Sequence, residues 1–396
     1  MAANTAGYTV QVISKQIIKP SSPTPHHLKA HKLSLLDQLA PPVYIPLILF
    51  YEADETSKSL THAQISQKLK QSLSNTLTLF YPLAGKLDQE AFTIDCNDAG
   101  VEFTEARVLQ TRLSDVIQNP TLEQLKDYIP ANVSDGLSPV NLLALQINFF
   151  DCGGVAVGVC MSHQIGDVLA MSLSVPNKKP VTKRYLFDKN KLDALKVSAT
   201  GSEKNPTRVE LVSSFIWKHF MNDKWNKKNI LAALHAVNLR PRSKSDDVVV
   251  EFEHVFGNYY LNSVAFSGAA FDQYEPEVGE LVSKLRHSIR RIHDEYASKS
   301  GIGDAFLGEI GELLGRVSKG EADFCMFSSW CRFPVYDVDF GWGKPVWVGT
   351  TPLPLSNLTV LWSTKCGDGI EACVNMIPNN TSLDIEFKLL GNTMDG

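Results

Sequence analysis

The sequence lacks both a long hydrophobic run and an excess of charge of one sign. Its longest apolar stretch, residues 43–51, is far shorter than the roughly 20 residues of a membrane helix and contains Pro46. The net charge is −5 and the pI is about 6.1, so there is no electrostatic reason to bind nucleic acid or an anionic membrane. Residues 1–10 carry neither the basic nor the apolar part of a signal peptide. We therefore expect a soluble, cytoplasmic protein without nucleic-acid or membrane partners.

Cysteine is too sparse and too irregularly spaced for a disulfide framework. The seven cysteines are an odd number, none forms a Cys-x-x-Cys pair, and none is spaced from a histidine as a zinc site requires. This pattern is typical of reduced thiols in a cytoplasmic protein. We expect no structural disulfide and no metal site.

Three common catalytic or nucleotide-binding motifs are also missing. Ser162 does not stand in a Gly-x-Ser-x-Gly sequence, which argues against a serine hydrolase. The glycines of residues 153–158 (GGVAVG) do not have the spacing of a dinucleotide-binding motif, and residues 341–344 (GWGK) are not a phosphate-binding loop. Close backbone packing is the more ordinary role for the glycines of residues 153–158.

What is present indicates a two-domain protein of mixed α/β class. A length of 396 residues favours two domains, and strand-like and helix-like stretches alternate along the chain. The polar stretch 174–183 is the best candidate for the boundary between them. Near the C-terminus, Asp368-Gly369 lies between two strand-like stretches and predicts a tight hairpin turn.

Two helices have clear signals for their first residues. Apolar side chains at every fourth position predict an amphipathic helix over residues 61–80, and Thr61 with Gln64 can form a capping box. A second helix is predicted to start at Thr207, where the same motif pairs Thr207 with Glu210.

His163 is the principal candidate for chemistry. Residues 153–161 (GGVAVGVCM) are small and apolar and predict a buried strand, which ends at Ser162-His163. An apolar environment favours the neutral imidazole that a general base needs. Asp167, four residues further on, could orient this segment. The alternative is an ordinary buried histidine of the core.

The pattern His-x-x-x-Asp occurs twice, so it does not identify the base by itself. His219 and Asp223 also satisfy it, but His219 lies inside the second predicted helix, towards its C-terminal end. A histidine with a structural role is the ordinary outcome there. We therefore expect His163, rather than His219, to act on a substrate.

Two tryptophan-containing segments form a second cluster of interest. Residues 339–343 (DFGWG) combine Asp339, Gly341, Trp342 and Gly343, which predicts a tight loop supported by aromatic packing, with a structural role. The segment 328–332 (SSWCR) contains Trp330, whose indole N–H is a fixed donor that could stabilise an oxyanion.

Together, HQIGD at residues 163–167 and DFGWG at residues 339–343 resemble the paired signatures of the BAHD acyltransferases of plants. Each motif alone is modest, but their order and their separation of about 170 residues are specific. The resemblance covers almost the whole chain and is closest to the branch that acylates alkaloids. It includes the segments PSSPTP (20–25), LSLLDQ (33–38), FYPLAG (80–85), DCNDAG (95–100) and NLRPR (238–242).

The resemblance implies two α/β lobes with mixed sheets, similar to chloramphenicol acetyltransferase, and a channel between them. Residues 1–175 would form the N-terminal lobe with HQIGD, residues 176–183 the crossover, and residues 184–396 the C-terminal lobe with NLRPR and DFGWG. The crossover is short for this family, since only about fifteen residues separate Asp167 from Lys183. Acyl-CoA would be a co-substrate, with no cofactor, and the protein a monomer.

The resemblance also assigns roles to single residues. His163 would be the general base, Asp167 would pair with Arg240, and Trp330 would support the oxyanion. The expected reaction is transfer of an acyl group, most simply acetyl, to a hydroxyl of a specialised metabolite such as an alkaloid. N-acylation or thioester hydrolysis at the same site, or a non-catalytic binding protein with this fold, are the alternatives.

The second predicted helix suggests where CoA could bind. Its first turn offers free N–H groups at Thr207, and Lys204 and Arg208 flank it. A helix N-terminus with adjacent cations can bind a phosphate group, and we expect a phosphate of CoA here. An ordinary capped helix with solvated charges is the alternative.

Overall fold

The computed structural model divides into two compact units, which we describe one at a time. The first unit comprises Met1–Leu173 and Pro334–Pro354, and the second comprises Ser174–Phe333 and Leu355–Gly396. The residues that the structure describes are 7–53, 60–131, 141–166, 181–199, 205–222, 230–242, 256–268, 274–292, 294, 304–352, 355–376 and 382–390.

A six-stranded mixed sheet forms the centre of the first unit. The strands of this unit are β1 (Thr9–Ile18), β2 (Ala30–Lys32), β3 (Tyr44–Tyr51), β4 (Lys86–Asp88), β5 (Thr93–Asp95), β6 (Val101–Leu109), β7 (Leu143–Phe150), β8 (Val155–Ser162) and β13 (Trp347–Gly349). The large sheet has the order β1-β6-β7-β8-β3-β13, in which β6 and β7 are parallel and the other neighbours antiparallel. A small antiparallel sheet has the order β2-β5-β4.

The longest helix of the first unit forms as its sequence predicts. The helices of this unit are α1 (Leu35–Leu39), α2 (His62–Leu79), α3 (Leu113–Gln118) and α4 (Leu122–Leu125). Thr61 caps α2, and both hydrogen bonds of its capping box with Gln64 are present. One face of α2 is buried in the apolar cluster of this unit through Ile65, Leu69, Leu73 and Leu77. The predicted helix over residues 61–80 is confirmed.

The segment 334–354 belongs to the first unit, although it follows most of the second unit in the chain. Its strand β13 pairs antiparallel with β3, so that Trp347 lies opposite Phe50. The hydroxyl of Tyr51 donates a hydrogen bond to the carbonyl of Val338 at 3.2 Å. The assignment of the DFGWG segment to the C-terminal lobe is therefore wrong, because pairing between distant strands, and not chain order, places this segment.

The second unit is also built on a six-stranded mixed sheet. Its strands are β9 (Val181–Phe187), β10 (Ile230–Asn238), β11 (Tyr260–Ser267), β12 (Ala322–Ser329), β14 (Leu358–Ser363) and β15 (Ile370–Met376). Its helices are α5 (Lys189–Ser198), α6 (Arg208–Asn222), α7 (Val278–Arg291), α8 (Asp304–Ser318) and α9 (Ser382–Leu389). The order is β11-β10-β12-β14-β15-β9, with parallel pairs on both sides of β12. The prediction of an α/β fold with two lobes and mixed sheets is confirmed.

Two local predictions for the second unit are also confirmed. The N–H of Thr207 donates to the Glu210 carboxylate at 2.7 Å, and the N–H of Glu210 donates to the Thr207 hydroxyl at 3.2 Å, so that α6 begins with a capping box. β14 and β15 pair antiparallel and form the predicted hairpin, but its loop spans residues 364–369 and the tight turn is Thr364–Gly367 rather than Asp368-Gly369.

In the first unit, a backbone segment lies directly on the large sheet at Gly158. A Cβ atom at Gly158 would lie 2.2 Å from the carbonyl oxygen of Tyr128. Two buried amides of β7 hold this segment: Gln146 donates to the carbonyl of Asp127 at 2.8 Å, and Asn148 donates to the carbonyl of Tyr128 at 2.9 Å. The same strand β8 that carries Gly158 ends beside His163, so this close approach fixes the course of the strand that leads to the candidate base.

Gly158→Ala should destabilise the protein by roughly 1–3 kcal/mol, because the new methyl group overlaps backbone atoms that cannot rotate away. The midpoint of urea unfolding measures this change. Gly311→Ala is the control: no atom of the described residues lies within 4 Å of the added Cβ on helix α8, and alanine should raise stability by about 0.5–1 kcal/mol. Equal midpoints for the Gly158 variant and the wild type would contradict the packing argument.

Candidate active site

His163 lies where the buried strand β8 ends. It begins a single 3-10 turn, His163–Ile165, that directly follows Ser162. The backbone N–H of His163 donates to the carbonyl of Val43 at 2.9 Å, and the backbone N–H of Ser162 donates to the carbonyl of Leu142 at 2.8 Å. His163 is only 1% exposed. The predicted buried strand is confirmed, and the imidazole is held at its end by backbone bonds to two different chain segments.

Helix α1 lies against the turn that contains His163. It is fixed by a capping box in which the Ser34 hydroxyl donates to the Asp37 carboxylate at 2.6 Å and the N–H of Asp37 donates back to that hydroxyl at 3.2 Å. The chain then leads from α1 to Val43, the residue that binds the His163 backbone. The pattern Ser-x-x-Asp before an apolar stretch could have identified this cap from the sequence.

Asp167 lies outside the described residues, so its predicted pairing with Arg240 stays a prediction. Arg240 begins a short 3-10 turn after β10. Its guanidinium donates to the carbonyl of Gly257 at 2.6 Å and to the side-chain oxygen of Asn238 at 3.4 Å. These bonds hold the arginine within the second unit.

Trp330 is buried at the end of β12, and its indole N–H donates to the hydroxyl of Ser328 at 3.2 Å. The backbone N–H of Trp330 donates to the carbonyl of Leu361. Its ring packs against that of Trp362 with 6.4 Å between centroids. The indole donor is thus engaged by a neighbouring serine. Its role towards an oxyanion stays a prediction, and Ser328 would have to yield this bond.

The DFGWG loop of the first unit is organised around the carboxylate of Asp339. One oxygen of Asp339 accepts hydrogen bonds from the N–H groups of Gly341, Trp342 and Gly343 at 2.7, 3.2 and 3.0 Å. The bonds from Gly341 and Gly343 hold the pKa of Asp339 below its ordinary value. Gly341 and Gly343 have φ angles of 94° and 104°, a region that favours glycine. Trp342 is buried against Tyr51. This geometry fits the predicted structural role.

At the start of α6, where a phosphate is predicted to bind, a carboxylate of the protein itself accepts the available hydrogen bonds. The N–H of Thr207 is bonded to Glu210, and two nitrogens of Arg286 donate to the same carboxylate at 2.8 and 2.6 Å. The exposed Arg208 side chain donates to the carbonyl of Gly367. Lys204 lies outside the described residues. The CoA site at Lys204, Thr207 and Arg208 stays a prediction.

His219, the rival histidine, is a core residue of the second unit. It is 1% exposed, lies on α6, and packs edge-on against Phe215. Nδ1 lies 3.4 Å from the Ser382 hydroxyl, and Nε2 lies 3.4 Å from the carboxylate of Glu386. Burial, together with the Lys218 ammonium, lowers the pKa of His219 to about 4. The carboxylate of the half-exposed Glu386 would raise the pKa of His219, but water screens its charge. The effect of burial is therefore larger, and the ring is neutral at pH 7.

No sequence motif marks a role for the two polar side chains next to His163. Ser162 and Gln164 are buried, and neither the Ser162 hydroxyl nor the Gln164 carbonyl oxygen has a hydrogen-bond partner among the residues that the structure describes. Only their position beside the base could have drawn attention to them.

The family model described as the transferase family matches residues 8–175 and 170–382. Stemmadenine O-acetyltransferase of Catharanthus roseus is 36% identical over 94% of this chain and 96% of the relative. Vinorine synthase of Rauvolfia serpentina is 37% identical over the same shares, and its crystal structure has a TM-score of 0.82, covering 96% of this chain and 98% of that one. Limonoid 1-O-acetyltransferase of Citrus sinensis is 34% identical over 91% of this chain and 93% of the relative.

The chain belongs to this transferase family, the BAHD acyltransferases. It is an acyl-CoA-dependent acyltransferase. The alignment with the Catharanthus relative spans 422 positions, more than the 396 residues of this chain, so this chain carries gaps in it. The two family matches overlap at residues 170–175, directly before the predicted crossover of residues 176–183. In the described residues, the structure contains no helix long and apolar enough to span a bilayer.

Replacing His163 with alanine should lower kcat by at least about 100-fold, the low end for the loss of a general base, with little change in melting temperature. His219→Ala is the matched control, since that histidine also satisfies His-x-x-x-Asp and is equally buried. It should keep most of its kcat while losing stability. Initial rates with acetyl-CoA and thermal melts measure both effects, and the reverse pattern would assign the base to His219.

His219 should also make stability depend on pH. Its folded pKa of about 4 lies below the ordinary value near 6.5, so only the unfolded chain takes up a proton between these values. Stability contributed by the neutral ring is therefore complete above pH 6.5 and decreases as pH falls towards 4, by on the order of 3 kcal/mol. Urea unfolding of the wild type and of His219→Gln at pH 4.5 and 7 measures this loss of stability. The difference in stability between the two pH values should be smaller in the variant; an equal difference would contradict the assignment.

Proposed function

We propose that the protein transfers an acetyl group from acetyl-CoA to a hydroxyl of a specialised metabolite, most simply an alkaloid. The observation that carries this proposal is the buried His163, fixed at the end of β8 in a chain of the BAHD family. The names of the relatives from Catharanthus and Rauvolfia, an alkaloid O-acetyltransferase and vinorine synthase, support the acceptor class.

The proposed reaction needs one base. His163 takes the proton of the acceptor hydroxyl while the oxygen forms a bond to the thioester carbonyl carbon. The resulting tetrahedral intermediate carries an oxyanion; its C–S bond then breaks, and the histidine returns the proton to the CoA thiolate. The products are the ester and free CoA. General-base assistance supplies typically 10²- to 10⁴-fold, and positioning and oxyanion stabilisation supply the rest.

The other predicted residues have supporting roles in this proposal. Trp330 donates to the oxyanion after exchanging its bond with Ser328, and Asp167 with Arg240 keeps the HQIGD segment in place. The phosphates of CoA bind near Lys204, Thr207 and Arg208, where Arg208 is exposed. Removing one partner of a buried ion pair costs about 3–5 kcal/mol, so Asp167 would affect stability as well as rate. We further propose that the enzyme is a cytoplasmic monomer.

A limonoid-like alcohol is the second candidate acceptor, because the Citrus relative is named for a limonoid. The two classes differ in charge. An alkaloid amine is cationic near neutral pH and can bind over aromatic faces with about 0.5–2 kcal/mol, whereas a limonoid offers no such cation. The acceptor assignment therefore rests on whether the enzyme prefers a cationic polycyclic alcohol to a neutral one.

A competition assay tests the proposal. Purified enzyme is given acetyl-CoA with equal concentrations of hydroxylated alkaloids, limonoid alcohols, simple alcohols, shikimate and polyamines, and then the same acceptors with hydroxycinnamoyl-CoA. We expect thiol release together with an O-acetylated alkaloid. Thiol release without a product would indicate a hydrolase, and an acylated polyamine an N-acyltransferase. Preference for shikimate or for the aromatic donor would contradict the assignment, and no turnover with any pair would favour a binding protein.

A further inference from the structure

We infer that Gln164 is a specificity-determining residue, whose side-chain oxygen accepts a hydrogen bond from a second donor group of the acceptor molecule. The inference rests on the proposed function, since it assigns this residue to the acceptor of the same reaction. The second donor is a hydroxyl or a protonated amine close to the hydroxyl that reacts.

The first observation is an unsatisfied polar atom. Gln164 is 6% exposed, and its Oε1 has no hydrogen-bond partner among the described residues. A buried polar atom without a partner destabilises the fold, and the large majority of buried side-chain polar atoms in proteins are paired. An exception next to a candidate general base is therefore better explained by a ligand than by a packing defect.

The second observation is that the other neighbour of His163 is unsatisfied as well. Ser162 is fully buried, it precedes the 3-10 turn in the capping position, and its hydroxyl makes no capping bond. The hydroxyl has no other partner in the described parts of the chain. Unpaired polar atoms thus stand on both sides of His163, which indicates a polar site around the imidazole.

The geometry of the turn separates Gln164 from the apolar core. Successive side chains of a 3-10 helix point about 120° apart. Ile165 packs in the apolar cluster of the first unit. The side chain of Gln164 therefore points in a different direction from that of Ile165. Because consecutive Cα atoms are about 3.8 Å apart, its amide is within reach of groups that neighbour the reacting hydroxyl.

A comparison within the same unit shows what a satisfied glutamine looks like. Gln146 is buried to a similar degree, and its amide nitrogen donates to the carbonyl of Asp127 and to the side-chain oxygen of Asn148, both at 2.8 Å. Those bonds hold the backbone segment over Gly158. Gln146 is a structural residue, whereas Gln164 has no such bond to any residue that the structure describes.

The chemistry of the unpaired atom points to its ligand. A carbonyl oxygen needs an N–H or O–H donor. The acetyl group has neither, and the reacting hydroxyl gives its proton to His163. The remaining donors near the reaction are a further hydroxyl or ammonium group of the acceptor, and the amide N–H groups of the CoA arm. We assign the acceptor, because Gln164 directly follows the base in the chain, in the same 3-10 turn.

The test uses Gln164→Met, which keeps the length of the side chain and removes its hydrogen-bonding atoms. The probe is the hydroxylated alkaloid with the highest kcat/KM, together with its analogue in which the second donor is methylated. In the wild type, methylation should raise the acceptor KM roughly 10-fold, the loss expected for one hydrogen bond. In Gln164→Met, the KM of the parent should rise by about the same factor, and methylation should have no further effect. The KM of acetyl-CoA should not change.

Gln164→Glu distinguishes the two possible donors. A carboxylate keeps the acceptor oxygen and adds a negative charge, so the acceptor KM should fall if the donor is an ammonium group and rise if it is a hydroxyl.

Gln146→Met is the matched control for stability. It removes an amide with two partners and should lower the melting temperature, whereas Gln164→Met should melt at or above the wild-type temperature because it removes an unpaired buried group. A lower melting temperature for Gln164→Met would indicate a structural bond and overturn the inference. The inference would also be overturned if the wild type and Gln164→Met discriminated equally between the parent and the methylated acceptor, or if Gln164→Met raised only the KM of acetyl-CoA. If the wild type does not turn over any acceptor and His163→Ala behaves like it, the proposed function fails instead.

Discussion

The position of the candidate base depends on a close approach between two pieces of backbone. At Gly158, the carbonyl of Tyr128 lies where any Cβ atom would be, and the amides of Gln146 and Asn148 hold that segment down with bonds of 2.8 and 2.9 Å. Strand β8 must therefore run in one register under this segment. Four residues further along the strand lies Ser162, and His163 follows. A packing constraint in the middle of the sheet thus determines where the imidazole emerges.

His163 and His219 show that neither a short motif nor burial defines a catalytic histidine. Both are followed by aspartate at the fourth position, and both are 1% exposed. His219 lies inside a helix, between Phe215 and the residues of α9, where its ring fills the core and its pKa falls to about 4. His163 lies at the end of a strand, where the backbone turns and where it is flanked by polar side chains that have no partner among the described residues. The difference lies in the local backbone and in the polarity of the neighbours.

Features that depend on a few consecutive residues could be predicted from the sequence. The capping boxes of α2 and α6 and the hairpin loop of residues 364–369 each involve groups three to five residues apart, so the sequence pattern contains most of the interaction, although the turn itself lies at Thr364–Gly367. The location of the DFGWG segment could not be predicted, because it depends on β13 pairing with β3, about 300 residues earlier in the chain. The bond between Trp330 and Ser328 depends on side-chain orientation, which residue types do not determine.

The distribution of satisfied and unsatisfied polar groups separates structural from functional parts of the first unit. Gln146, Asn148 and Asp339 are all bonded to backbone groups, and each bond fixes a segment that would otherwise be free to move. Next to His163 the pattern reverses, since buried polar atoms of Ser162 and Gln164 lack partners in the described structure. Such groups lower stability in the free enzyme, and a ligand that pairs with them recovers this energy only when it binds in the correct orientation. A site of this kind discriminates by the donors that a substrate lacks, because an analogue without the donor leaves the buried oxygen unpaired. Selectivity among bulky, largely apolar acceptors of similar shape would then follow from one or two hydrogen bonds beside the base.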